Sequence, residues 1–214
     1  MYEALYLRLE ERSPRGQRIT ASDADALHAQ LPAYLRDPFT FTLATGVRRG
    51  QLSRTLRSYV DLDGECITWP ASETKADEEH PVPVVGEALD VVQRNMAQAV
   101  PWCPYLFHGL RCLPGRTPGQ WGCLGDFKAA WRRRARRRAS AIGAAHDTRV
   151  TAATELRAAG LSEGDCVALG GWKTRAVFDR YNLGDVEALR ARLATAREQR
   201  SRVVALRRSH GGTA

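Results

Sequence analysis

Only two short segments of this chain read as strands, Glu65–Trp69 and His80–Val84, and they stand close enough to form one loose hairpin across residues 70–79. Pro81 and Pro83 place the second strand at a sheet edge, because proline has no N–H to give to a ladder. The rest of the sequence is either helical in its spacing or irregular. This predicts an α+β fold, mainly α, with a small antiparallel sheet flanking a helical core.

The helical segments follow from caps and apolar spacing. Thr20 and Ser22 offer N-caps, and Ala24, Leu27, Leu31 and Leu35 recur on one face. Phe39 to Leu43 reads as a second helix, broken at Thr45-Gly46-Val47, and Arg48 to Leu56 as a third. A turn is expected at Asp61–Gly64, a helix from Glu87 to Ala99, and an irregular loop from Pro101 to Trp121. Phe127, Trp131 and Ala135 then share one helix face. Further helices are expected at His146–Ala159, at Ser162–Leu169 with a Ser162/Asp165 capping box, and at Thr174–Tyr181. Residues 185–209 read as a basic helix carrying Val186, Leu189, Leu193 and Ala196.

The 214 residues suffice for one sizeable core and are read as a single domain. No run approaches the ~18 apolar residues of a membrane-spanning helix, and the N-terminus does not read as a secretory signal. Five cysteines without a CxxC pair point to reduced thiols and a cytoplasmic location. The net charge is +8, unevenly spread: residues 128–214 hold 19 basic and 8 acidic side chains, and residues 1–127 hold 13 and 16. Codon bias explains why only three of the 32 basic residues are lysines, but not this asymmetry. A basic back half implies a nucleic acid as partner, with no role for a membrane.

Several residues have chemistry suited to phosphate. Arg48 and Arg49 follow the Thr45-Gly46-Val47 turn at a helix entry, where the exposed amides favour an anion. His146 and Arg149 stand three apart on one helix face. Trp172 follows two glycines, with Lys173 and Arg175 just beyond, and Tyr181 lies nine residues after Trp172. Lys75, alone among lysines in the first 127 residues, sits in the hairpin turn and carries an ammonium that can give up a proton. The arginine run from Arg132 to Arg138, including Arg133, Arg136 and Arg137, suits sequence-independent phosphate contact. Cys103, Cys112 and Cys123 with His108 offer the ligand types of a zinc cluster, but their spacing is irregular and lacks any CxxC, so they read as ordinary buried or loop residues.

Taken in order, Arg48, Lys75, His146-x-x-Arg149, Trp172 and Tyr181 resemble the catalytic domain of the tyrosine recombinases, the phage integrase family. Three stretches carry the likeness: Leu43–Gly50 with Val60–Asp63 after it, His146–Arg149 with Thr151–Ala153, and Gly171–Arg175 through Phe178–Asn182. It covers roughly residues 18–200; residues 1–17 are a poorly matched lead-in, too short for the N-terminal core-binding domain that family members carry. The resemblance implies that Tyr181 attacks a DNA phosphodiester, giving a 3′-phosphotyrosyl link and a free 5′-hydroxyl. Arg48 and Arg149 would hold the non-bridging oxygens, Lys75 would protonate the leaving oxygen, and His146 would assist proton transfer at Tyr181. Trp172 would donate where many relatives place a second histidine. It further implies no cofactor, no catalytic metal and no ATP, a bacterial or mobile-element origin, and self-association on DNA through the C-terminal helix.

The chain departs from the family pattern at Gln51, where relatives usually carry a glutamate that buttresses the first arginine. Arg57 and Tyr59 occupy positions often tryptophan and acidic, and Thr148 replaces a usual leucine. Two other functions use the same residues: a DNA-binding module that has lost the chemistry, and a type IB topoisomerase that relaxes supercoils.

Overall fold

The computed structural model describes residues 16–110, 112–115, 122, 124, 125, 127, 130, 131, 146–179, 190 and 194. Their elements run α1 (Ala21–Gln30), α2 (Ala33–Thr45), α3 (Arg49–Arg54), β1 (Val60–Asp61), β2 (Cys66–Trp69), β3 (His80–Pro83), α4 (Glu87–Ala97), α5 (Asp147–Ala158), α6 (Glu163–Gly170) and α7 (Arg175–Asp179). The expected mainly helical α+β fold with one small antiparallel sheet is the fold observed.

The sheet has the order β1-β2-β3. Ile67 pairs with Val82 and Trp69 with His80, so β3 is an edge strand and its two prolines point away from the buried face. Pleating puts Ile67, Trp69, His80 and Val82 on that buried face. β1 was not expected. Its two residues pair with Cys66 and Ile67 immediately before the Asp61–Gly64 turn, which is closed by the Gly64 N–H donating to Asp61 Oδ1 at 2.9 Å.

The two largest departures from the expected helix boundaries both involve proline. The apolar spacing from Ala24 to Leu35 suggests continuity, yet α1 stops at Leu31, whose ψ of 143° is extended. Pro32 disfavours a helical conformation in the residue before it, so the chain turns and restarts. α2 then begins at Ala33, well before Phe39, and carries Pro38 in its second turn. Pro38 cannot donate to the Tyr34 carbonyl, a loss of one hydrogen bond. Full burial of Leu35, Phe39 and Phe41 along the same helix outweighs it.

α2 is the central element, packed against both α4 and α5. Phe39 meets Trp131 edge to face at 5.2 Å, Trp131 stacks on Phe127, and Phe41 packs against Phe107. On the far side, Ala153, Cys166, Trp172 and Phe178 form a smaller apolar cluster. The strap before α1 fixes α5 from outside. The Ile19 N–H donates to Thr151 Oγ1 at 2.8 Å, the Gln17 N–H donates to Asp147 Oδ1 at 3.2 Å, and Arg18 pairs with Glu155. α6 opens on the expected capping box, with Ser162 Oγ accepting from the Asp165 N–H. No helix among the described residues is long and apolar enough to cross a membrane.

Candidate functional site

The site forms where α2, α5 and α6 end or begin beside β3. α2 finishes on Gly46 in the left-handed region (φ 67°), which turns the chain sharply enough for Arg48 to cap α3. α6 finishes on Gly171 in the same conformation (φ 61°). A β-carbon on Gly171 would stand 2.8 Å from His80 Cε1 and 3.1 Å from Arg48 Nη1, so that turn lies directly against both side chains.

Arg149 reaches the same place from the first turns of α5. Its side chain is 6% exposed, and Nη1 donates to the Gly46 carbonyl and, at 3.0 Å, to the Gly170 carbonyl. The guanidinium lies over the Trp172 ring, 4.5 Å from its centroid. Two carbonyls and an aromatic face therefore fix both the position and the plane of the fork. Arg48, Arg149 and Trp172, nearly 125 positions apart along the chain at the extremes, converge on one pair of glycine turns.

Sequence reading passed over His80 as a strand residue. It lies within electrostatic reach of both arginines, 9% exposed and stacked on Trp69 at 5.6 Å. The Ala168 carbonyl can only accept, so the 2.7 Å contact to Nε2 puts the ring proton there. Nδ1 is then an acceptor, and Gln51 Nε2 donates to it at 2.9 Å. This explains the Gln51 departure in part: an amide donates to a neutral imidazole, which a carboxylate cannot do. The arrangement leaves Gln51 Oε1 buried with no hydrogen-bond partner among the described residues. The alternation that buries Val82 in β3 was the sequence signal that His80 also faces inward.

Burial holds the His80 pKa below the usual imidazole value, and the charges of Arg48 and Arg149 push it the same way. The hydrogen bonds to the Ala168 and Leu169 carbonyls act in opposition. The unfolded chain therefore takes up the proton first as pH falls. Stability is fully present above about pH 6.5 and declines as pH drops toward the folded-state pKa, by about 1.4 kcal/mol per unit of depression. Urea unfolding at pH 7.5 and 5.5 is expected to show a smaller loss for His80→Gln than for the wild type. An equal loss in both would mean that His80 is not held neutral.

The other candidates are placed less centrally. His146 is half-buried as the N-cap of α5, one turn before Arg149. Lys75 is exposed in the connection between β2 and β3. Arg49 begins α3 with its guanidinium 6.0 Å from the Phe127 ring centroid. Lys173 is exposed, and the exposed Arg175 pairs with Glu163 at 2.5 Å. Tyr181, the arginines Arg132, Arg133, Arg136 and Arg137, and the helix expected at 185–209 lie outside the described residues.

No protein-family model and no curated protein matches the chain. Solved structures do match. The XerA recombinase aligns with a TM-score of 0.65 at 20% identity, over 85% of this chain and 65% of that one. The Tn1549 transposon integrase in complex with circular intermediate DNA aligns with a TM-score of 0.59 at 14% identity, over 84% and 67%. A lambda integrase dimer bound to a core site aligns at 0.60 and 15% identity, over 79% and 48%. At these identities the likeness is one of fold: the chain has the fold of tyrosine-recombinase catalytic domains. It spans about two thirds of the first two of these chains and about half of the third.

Proposed function

We propose that this chain is the catalytic domain of a site-specific DNA recombinase that breaks and rejoins double-stranded DNA through a 3′-phosphotyrosyl intermediate. The observation that carries the reading is the meeting of Arg48 and Arg149 at the Gly46 and Gly170–Gly171 turns, on a fold shared with recombinases and integrases. Two cations brought to one place repel each other unless an anion lies between them, and a phosphodiester supplies that anion.

In this reading the Tyr181 oxygen attacks the phosphorus. The phosphorus–tyrosine bond forms as the bond to the 5′-oxygen breaks, and His146 takes up the phenolic proton. Lys75, on the exposed hairpin tip, swings onto the bound duplex and gives a proton to the departing 5′-oxygen. Arg48 and Arg149 hold the non-bridging oxygens, where negative charge grows in the transition state. Trp172 holds the Arg149 plane and donates through its indole N–H. The guanidiniums supply the positive charge, and the phosphotyrosyl ester keeps the bond energy for religation, so the chemistry draws on neither a metal nor ATP. Arg49, Lys173, Arg175 and the run of Arg132, Arg133, Arg136 and Arg137 contact the DNA backbone.

Self-association belongs to the same reading. An apolar recess of about 400 Å³ opens between α2, β3 and α6, lined by Ala44, Pro81, Pro83, Val85, Leu156 and Leu169 among others. The amphipathic helix expected at 185–209 of a second copy has the apolar stripe to fill it. The enzyme then acts in the cytoplasm, as an assembly on DNA.

A library of randomised duplexes, each nicked so that the short 5′-hydroxyl fragment escapes after cleavage, tests the proposal. Wild-type protein is expected to give a DNA-linked band on a denaturing gel, and Tyr181→Phe to give none. Retention of DNA in native gels with no covalent band from the wild type would mark a binding module of the same fold. Relaxed plasmid without recombinant product would mark a topoisomerase.

A further inference from the structure

We propose that Cys103, His108 and Cys112 bind a zinc ion that clasps the loop after α4, a site separate from the phosphate chemistry and independent of it. The spacing, five residues and then four, gave no metal signature in the sequence. The fold nevertheless brings one ligand atom from each side chain within 4.8 Å of the others. Cys112 Sγ lies 3.8 Å from His108 Nδ1. Ligand atoms around a tetrahedral zinc with bonds of about 2.0–2.3 Å stand roughly 3.5–3.8 Å apart, so small rotations of side chains already in place complete the geometry.

The chemistry of the set selects the metal. Two thiols and an imidazole are soft and borderline donors, which favour zinc over magnesium or calcium. Neither Cys103 nor Cys112 is joined in a disulfide. Among the described residues His108 Nε2 is buried without a hydrogen-bond partner, so no hydrogen bond at that nitrogen holds the ring against the small rotation that metal binding requires. On binding, each thiol releases its proton to solvent, and two thiolates neutralise the ion's charge. Water takes the fourth position. Cys123 lies outside the described residues and is not counted among the ligands.

The loop has a use for such a clasp. Its first half is anchored to the segment following α3: Arg57 donates from its backbone N–H to the Pro104 carbonyl at 2.8 Å and from Nη2 to the Cys103 carbonyl at 2.7 Å. The Leu106 N–H donates to the Thr55 carbonyl at 2.9 Å. The second half has little burial to hold it, with Leu110 78% and Leu113 52% exposed. A metal bridging Cys103 to His108 and Cys112 ties that half to the anchored half, and through Arg57 to the end of the helix that Arg48 caps.

The test uses the full chain, purified without a histidine tag from zinc-supplemented medium under reducing conditions. Elemental analysis is expected to find about one zinc per chain, and cobalt substitution to give the thiolate charge-transfer and ligand-field bands of a tetrahedral site. His108→Gln and Cys112→Ser, both at half-buried positions, are expected to weaken zinc binding by more than the roughly 10–100-fold that loss of a group behind a ligand costs, with an unchanged helical circular dichroism spectrum. Cys66→Ser, in β2, is expected to keep the metal. The proposal is overturned by less than about a tenth of an equivalent of zinc in reconstituted wild type, by undiminished binding in the His108→Gln/Cys112→Ser double variant, or by a Cys103–Cys112 disulfide in the protein as isolated.

Discussion

Arg149→Ala is expected to lower the rate of covalent complex formation by about 10²–10³-fold, the effect of removing one preorganised donor from a developing anion, worth roughly 3–4 kcal/mol of barrier. The expectation rests on how the side chain is held. Nη1 is anchored by the Gly46 and Gly170 carbonyls and the plane is fixed over Trp172, so little reorganisation is needed when a phosphate arrives. The same substitution strips two buried carbonyls of a donor, at about 1–3 kcal/mol each, and unfolding in urea should move accordingly. Arg149→Lys separates the two effects. It keeps the charge but has no fork to bond both carbonyls and two oxygens at once. Cleavage by Arg149→Lys at the wild-type rate would show that charge alone matters and that the anchored geometry does not.

The second large effect is expected at a residue with no side chain. A β-carbon at Gly170 would overlap the six-membered ring of Trp172, at Cζ3, Cε3 and Cη2. The indole has no easy retreat. Phe178 meets it edge to face at 5.2 Å, and a β-carbon built on Gly46 would already stand 3.2 Å from Cη2. Gly170→Ala is therefore expected to cost about 1–3 kcal/mol or more through overpacking, and to reduce covalent complex formation with it, since the ring under Arg149 must shift. Gly164→Ala in the same helix meets nothing closer than Ser162 Oγ at 3.6 Å. It should instead stabilise by about 0.5–1 kcal/mol, the ordinary helix preference for alanine. Equal effects at the two positions would contradict the packing described around Trp172.

Local signals were legible from the residues alone. The Ser162/Asp165 capping box, the Thr20 cap, the β2–β3 hairpin and the edge position of Pro81 and Pro83 each depend on neighbours in sequence, and each is found where expected. The helix boundaries at Leu31 and Ala33 were not legible, because Pro32 overrides an apolar spacing that runs on through it, and the core burial of α2 outweighs Pro38. The candidate site divides in the same way. Arg48, Arg149 and Trp172 could be picked out by residue type and order, whereas the His80–Gln51 hydrogen bond joins positions 29 apart and exists only once the hairpin folds back on α3. The Cys103–His108–Cys112 cluster was visible by residue type but set aside on spacing, because irregular loop backbone, not regular spacing, sets where those three side chains meet.

Mass spectrometry of the peptide linked to DNA tests the central claim most directly. After digestion of the covalent complex with nuclease and protease, the account predicts one modified peptide spanning Tyr181, its mass raised by a 3′-phosphorylated nucleotide remnant. A remnant carried by any other side chain, or by a 5′-phosphate linkage, would contradict it.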